Sequence, residues 1–375
     1  MELVIFDRIR NRKVDKFNSF HISLKYNSFS SPFSFDYYFD PDVFELKEMA
    51  CVGHYHICRL YHNGELMLTG MMLSQAFNHS PIKQLVAIGG YSISGILEDC
   101  SIPTNAAIDA ALAIGNLKIK PGEIKPYCPL QSDGLSLRQI AEKLLAPFKL
   151  NMIVDPDVIG IMDEVFEEST AEPKDSIKAY LTELATQKNI IITHDAKGNV
   201  VFTKIKTDLK PIYYFNVPKG GLPGVEIGLH FNGQHMHSQI TVVKQADVDD
   251  ENAGESTVTN PYVPFIFRPK TIIQTSGNDI DTELAAKNAL ADELRNLSVT
   301  VKLDRWIIND KIIRPGSLIS IKDPENYIFN KTDFFIESID FTGNQREETC
   351  TMHCVLPESY NGATPKYIFK GINLH

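Results

Sequence analysis

Ser136-Leu137-Arg138-Gln139-Ile140-Ala141-Glu142-Lys143-Leu144-Leu145-Ala146-Pro147-Phe148 is the stretch on which the fold reading turns. Ser136 followed three residues later by Gln139 makes a capping box, in which each side chain satisfies the other residue's backbone N–H. Behind it, Leu137, Ile140, Ala141, Leu144, Leu145 and Phe148 recur at helical spacing, and Pro147 marks the helix end. A strand is expected over 150–154. Pro173 fits the first turn of a second helix, whose buried face is Ile177, Tyr180, Leu181, Leu184 and Ala185. Segments 190–193 and 200–204 then read as a hairpin around Lys197-Gly198-Asn199. Residues 135–206 are thus a small α/β module.

Outward from this module the period changes from helical to alternating. Toward the N-terminus, 52–61 alternates, with His54, His56, Cys58 and Leu60 on one face and Tyr55, Ile57, Arg59 and Tyr61 on the other. Asn63-Gly64 supplies the two positive-φ positions of a tight hairpin, returning as a strand over 65–72. A further strand is expected over 84–88, broken by Gly89-Gly90. A short helix over 106–113 leads into a Pro-, Gly- and Lys-containing link.

Toward the C-terminus, strands are expected over 212–216, 224–231 and 238–244. An acidic, polar loop follows over 246–263. Next comes a helix over 282–297, with Ala286, Leu290, Leu294 and Leu297 on one face. Four more strands cover 298–303, 317–322, 333–341 and 348–356, separated by turns at Pro315-Gly316, Asp323-Pro324 and Gly343-Asn344. The order β, α/β, β predicts an α+β protein, mostly β, of several domains, whose outer regions are two barrels or sandwiches. No short-period repeat is present.

The chain has 375 residues, enough for two to four domains, and is 43% hydrophobic, which excludes a disordered chain. Its formal net charge of −10 leaves no general footprint for nucleic acid. The same charge serves solubility, and would suit a bore through which DNA passes without sticking. No apolar run approaches the roughly 18 residues of a membrane span, and residues 1–13 lack a signal-peptide layout, so neither membrane insertion nor export by the general secretion route is expected. The six cysteines are scattered, which predicts reduced thiols rather than a disulfide framework.

Several constellations resemble sites and fall short of them. Cys51, His54, His56 and Cys58 have ligand chemistry, but C-x-x-H-x-H-x-C matches no closed zinc site. In Gly90-Tyr91-Ser92-Ile93-Ser94-Gly95, Ser94 stands where a nucleophile elbow needs glycine, and no Lys-Ser or Lys-Thr follows to make a phosphate loop. Asp247, Asp249, Asp250, Glu251 and Glu255 are acidic enough for calcium, but Gly254 is misplaced for the sharp turn. Glu164, Glu167 and Glu168 have no partner positioned across a cleft, as glycoside hydrolysis needs. No catalytic, cofactor-binding or metal-binding residue is therefore assigned, and the chain is expected to be no enzyme.

Three groups of residues resemble one family, the baseplate hub proteins of phage tails typified by that of phage Mu. The first group is Tyr61-His62-Asn63-Gly64-Glu65-Leu66-Met67-Leu68-Thr69-Gly70, with Ile88-Gly89-Gly90-Tyr91 and Gly95-Ile96-Leu97-Glu98-Asp99-Cys100. The second is Leu137-Arg138-Gln139-Ile140-Ala141 with Leu145-Ala146-Pro147-Phe148, and then 185–202. The third follows the helix from Ala285: Leu297-Ser298-Val299-Thr300-Val301, Trp306, Ile313-Arg314-Pro315-Gly316, 335–341 and Leu356-Pro357-Glu358-Ser359-Tyr360. The chain departs from the family pattern in its first fifty residues, in a longer connector over 101–134, and at 246–263.

The resemblance implies a structural subunit of a virion tail baseplate that acts as a symmetry adaptor. Two β-barrel domains per chain, in a homotrimer, would give six barrels around a hole. One side would then face the sixfold tail tube or a distal tail protein and the other the threefold central spike, beside other baseplate proteins, with DNA only in transit. Assembly would take place in the host bacterial cytoplasm. The implied domains are a first barrel over 1–105, a connector over 106–134, the α/β domain over 135–206 and a second barrel over 207–245 and 298–360. An inserted loop and helix would occupy 246–297, and 361–375 would be a tail. Phages, tailocins and contractile injection or type VI secretion machines all carry such hubs. The competing expectations are a tail-associated cell-wall hydrolase and a receptor-binding tail protein.

Overall fold

A computed structural model describes residues 1–6, 11–14, 17–80, 84–113, 131–167, 169–172, 174–244, 254–274, 281–344 and 346–369. The chain divides into two compact units. The first comprises Met1–Lys204 with Thr342–Glu347, and the second Ile205–Phe341 with Glu348–His375.

The first unit opens with β1 (Glu2–Phe6), β2 (Asn11–Val14), β3 (Ser19–Lys25) and β4 (Pro32–Tyr38), followed by the short helix α1 (Phe44–Met49). Next come β5 (Ile57–His62), β6 (Glu65–His79) and β7 (Gln84–Ser92). These strands form an antiparallel ladder in the order β3-β4-β7-β6-β5-β1-β2. Asn63 and Gly64 turn between β5 and β6 with φ of 49° and 81°, as the hairpin reading requires. Cys58 and Leu60 face the core as expected. The strand begins only at Ile57, however, because Gly53 (φ 80°) and Tyr55 (φ 47°) fold the preceding segment into turns.

Gly89 and Gly90 do not break β7; they lie inside it. The register of β6 against β7 shifts between Met72 and Ser74, and this bulge presses the two backbones together. A Cβ on Gly90 would sit 1.9 Å from the Met71 carbonyl oxygen and 2.8 Å from the Phe33 ring. The glycines are there for close approach, so β7 runs on to Ser92.

The same unit continues through α2 (Ile96–Asp99) and α3 (Asn105–Ala113) into the α/β module. The module contains α4 (Leu137–Leu145), β8 (Met152–Val154), α5 (Ile159–Met162), α6 (Ile177–Gln187), β9 (Ile191–His194) and β10 (Val200–Thr203). The capping box is formed in full: Gln139 N–H donates to Ser136 Oγ at 3.3 Å, and Ser136 N–H donates to Gln139 Oε1 at 2.9 Å. The expected stripe is buried apart from Phe148, which is only partly covered. Strands pair in the order β8-β10-β9, parallel then antiparallel. Helix α6 starts later than Pro173 suggested: Ser176 is its N-cap, accepting from Ala179 N–H at 3.1 Å. Pro173 and the link over 114–130 lie outside the described residues.

In the second unit, β11 (Tyr213–Asn216), β12 (Val225–Phe231), β13 (Gln239–Lys244), β14 (Glu255–Thr259) and β15 (Pro269–Gln274) precede α7 (Thr282–Leu294). After it come β16 (Leu297–Leu303), β17 (Ile307–Ile308), β18 (Lys311–Ile312), β19 (Leu318–Asp323), β20 (Ile328–Asn344), β21 (Glu348–Val355) and α8 (Glu358–Asn361). The main ladder is β12-β16-β21-β20-β19-β11, and a separate sheet has the order β14-β13-β15. Part of the supposed loop over 246–263 is therefore the strand β14, whose polar Ser and Thr residues pair with β13 in a half-exposed sheet. Residues 245–253 lie outside the described residues. Helix α7 stops at Leu294, and Leu297 opens β16 instead of closing the helix. Its apolar periodicity continued past the helix because β16 is buried on its own account, through Leu297, Val299, Val301 and Leu303. Trp306 is buried beside Phe341, with ring centroids 4.7 Å apart, and its Nε1–H donates to the Thr349 carbonyl at 3.0 Å.

The protein is mostly β with several sheets, and neither main ladder closes into a barrel among the described residues. One ladder ends at β2, four residues long and paired only to β1. The other ends at β11, which pairs in parallel with β19 and not with β12.

Gly90→Ala is expected to destabilise the protein by about 1–3 kcal/mol, since the new methyl group must displace backbone. Urea unfolding reads this, and an unchanged midpoint would refute the close-approach argument.

Candidate functional site

Several of the residues that suggested chemistry make contacts within the fold. His56 Nε2 donates to the Glu48 carbonyl at 3.0 Å, Cys51 Sγ lies 3.4 Å from His54 Nε2, and Cys58 is fully buried. These four side chains do not converge, and no group of three or more metal-ligating side chains occurs among the described residues. Glu164 pairs with Lys188 at 2.9 Å. Glu255 lies in β14. Glu168, Asp247, Asp249, Asp250 and Glu251 lie outside the described residues. Five cysteines are free thiols, and Cys128 lies outside the described residues.

Ser92 and Ser94, from the elbow-like segment, are fully buried, and both donate to one acceptor. Their hydroxyls reach the Phe29 carbonyl at 2.8 and 2.6 Å. Ser31 N–H donates back to Ser92 Oγ at 3.0 Å. The hydroxyls are thus committed to holding the β3–β4 loop.

That loop is the joint between the first ladder and the α/β module. The Phe29 side chain sits in the module's core with Leu97 and Ile102, among residues of α4, α6 and β10. Glu98 accepts from Ser28 Oγ at 2.9 Å and Phe29 N–H at 3.1 Å, and pairs with Lys178 of α6 at 3.0 Å. From the module's side, His194 Nδ1–H donates to the Ser28 carbonyl at 2.8 Å. Burial pushes the His194 pKa below its ordinary value, outweighing the opposing hydrogen bond to Ser28 and the nearby Asp195 and Glu98. Backbone pairing completes the joint: Ile177 N–H donates to the Cys100 carbonyl at 3.0 Å, and Ser101 bridges Ser176. Gly198, at φ 87°, tips the β9–β10 hairpin onto Ile93, where a Cβ would come within 2.4 Å.

Each unit also exposes large apolar side chains. In the first they include Tyr38, Phe44, Val52 and Tyr55; in the second they include the consecutive Phe265, Ile266 and Phe267. Monomeric surfaces rarely present such side chains in contiguous runs without a partner.

Residues 125–204 match the family model for the second domain of gp44-like baseplate hub proteins. The matched segment takes in nearly all of the α/β module whose joint is described above. Over the whole chain, the fold is similar to that of solved tail proteins. One is a 43 kDa tail protein of prophage MuSo2 from Shewanella oneidensis, 18% identical, with a TM-score of 0.74, covering 96% of this chain and 99% of that one. Another is a tail protein from Neisseria meningitidis MC58, 15% identical, with a TM-score of 0.72, covering 97% and 98%. A third is an Escherichia coli component of the type VI secretion system, described as structurally similar to T4 tail proteins gp27 and gp5. It is 9% identical, with a TM-score of 0.53, covering 98% and 80%. No curated protein matches the sequence. The hub resemblance read from the sequence therefore holds for the second domain and for the fold.

Sequence reasoning missed the joint. Phe29 sits in a Ser-rich stretch without periodicity, and nothing local marks it as core.

Phe29→Ala is expected to cost about 3–5 kcal/mol, the range for emptying a buried aromatic site; chemical denaturation measures it. His194 should make the joint acid-sensitive. With its folded pKa depressed, its contribution is complete above the ordinary value of 6.5 and is lost as pH falls from there toward the folded pKa. The Tm drop between neutral pH and about pH 5 should shrink in His194→Asn. An equal drop in both proteins would remove His194 as the cause.

Proposed function

We propose that this chain is the structural hub subunit of a phage-like tail baseplate. In this reading three copies form a ring that joins the sixfold tail tube to the threefold central spike and leaves a channel for DNA. The observation that carries it is the hub second domain at 125–204, set in a chain whose fold matches tail proteins over nearly the whole length of both.

Each copy would bring two sheet-built lobes, 1–105 and 207–245 with 298–360, so that three copies present six lobes toward the tube. The second domain, 135–206, would be held against the first lobe by the Phe29 joint, so that the two move as one body. Burial between copies does the work here, not bond chemistry. The net charge of −10 suits a bore that must not retain DNA. The partners are further copies of this chain, the spike, the tube or a distal tail protein, and other baseplate proteins. The site of action is the virion tail, after assembly in the host cytoplasm.

Light scattering on the purified chain, alone and with a spike protein from the same tail, is the direct test. A mass of three chains is expected, together with a ring and central hole in electron micrographs. A chain that stays single at every concentration and with the spike present would overturn the reading, as would a strongly basic bore.

A further inference from the structure

After α8 the second unit continues into a segment that belongs to no helix or strand. Gly362, at φ 63°, turns the backbone out of the helix. Ala363 and Thr364 are exposed, Pro365 is buried, and Tyr367, Ile368 and Phe369 are half-buried. Among the described residues, no backbone–backbone hydrogen bond ties 363–369 to another element.

One hydroxyl and a group of rings hold it instead. Tyr262, in the connection between β14 and β15, donates its OH to the Lys366 carbonyl at 2.7 Å, and the Ile368 N–H lies close to the same oxygen. The Tyr262 ring centroid is 5.5 Å from that of Tyr367 and 5.9 Å from that of Phe369. Tyr367 and Phe369 are 5.5 Å apart, and Phe369 meets Phe231, at the end of β12, at 6.2 Å.

The receiving side is fixed without the tail. Tyr262 N–H donates to Asn260 Oδ1 at 3.0 Å, and Asn260 N–H donates to the Ser238 carbonyl at 2.9 Å. The tail is thus held as a docked peptide is, by side chains in contact with a preformed surface and a backbone carbonyl on a fixed donor. A few ring contacts and one hydrogen bond are a small part of what keeps a domain folded, and segments held this way open locally while the rest stays intact.

We propose that residues 363–369 are a detachable strap, and that Phe231 and Tyr262 form a peptide-docking surface which the strap closes in cis. The ligand class is an extended segment that offers a carbonyl to the Tyr262 hydroxyl and aromatic side chains two positions apart, as Tyr367 and Phe369 do. The device needs only one copy of the chain, so it stands apart from the ring reading above.

Two measurements test it. In the first, trypsin acts on the full chain in low, non-denaturing urea, and mass spectrometry follows cleavage after Lys366 and after Lys302, which lies inside β16. Cleavage after Lys366 should be at least tenfold faster and nearly independent of urea, because local opening exposes little surface. Cleavage after Lys302 should rise steeply with urea, because it needs the ladder to open. In the second, a chain ending at Gly362 is titrated into a fluorescein-labelled peptide of residues 363–369, read by anisotropy. The shortened chain should keep its circular dichroism spectrum and bind saturably, and Tyr262→Phe in it should weaken binding threefold or more. The full chain should bind the free peptide at least tenfold more weakly, since its tethered tail competes at an effective concentration on the order of millimolar. Equal urea slopes at Lys366 and Lys302 would make the tail part of the core and overturn the proposal. So would a shortened chain that loses its fold, one that stays folded but binds the peptide no better than a scrambled sequence, or a full chain that binds it as tightly as the shortened one.

Discussion

A single carbonyl group organises the first unit. Phe29 places its ring in the core of the α/β module while its backbone stays in the loop between β3 and β4. The carbonyl takes two buried hydroxyls, Ser92 and Ser94, and its N–H goes to the Glu98 carboxylate. Buried backbone groups left without partners are costly, so the loop has one favourable arrangement and the domain one place to sit. Glu98 also ties Lys178, and His194 ties Ser28, so the polar bonds around the loop come from both the ladder side and the domain side. A network whose members are mutually satisfied makes such a connection stiffer than apolar contact alone would.

How much of this was legible in the sequence depended on whether the signal was local. The capping box at Ser136 and Gln139 and the turn at Asn63-Gly64 could be read because a few adjacent residues decide them. The buried faces of α4 and α6 were equally plain from their spacing. Errors arose where a residue's role came from a distant neighbour. Gly89 and Gly90 read as a strand break, yet they exist to let β6 approach through a bulge at Met72 and Ser74. The polar strand β14 read as loop because its stability lies in pairing with β13, and β15 went unread for the same reason. Leu297 continued a helical rhythm that belonged to the next strand.

The candidate site showed the same division. The clusters with catalytic or metal-binding residue types were visible in the sequence, and in those that the structure describes His56, Ser92, Ser94 and Glu164 make contacts within the fold. The exposed apolar run of the second unit was not visible as such. Phe265, Ile266 and Phe267 look like any buried apolar run until the fold leaves them outside, pinned by Arg268. The serines of the elbow-like motif carried information after all, since they marked the strand end that grips the joint.

The chain's lone indole has a practical consequence. Trp306 is sealed against Phe341 and bonded through its ring nitrogen to Thr349, all within the second unit. Intrinsic emission excited at the red edge therefore reports on that half of the molecule only, while the half holding Phe29 is optically silent. Any variant confined to the silent half that shifts this emission would reveal mechanical communication along the chain, without a label having been attached.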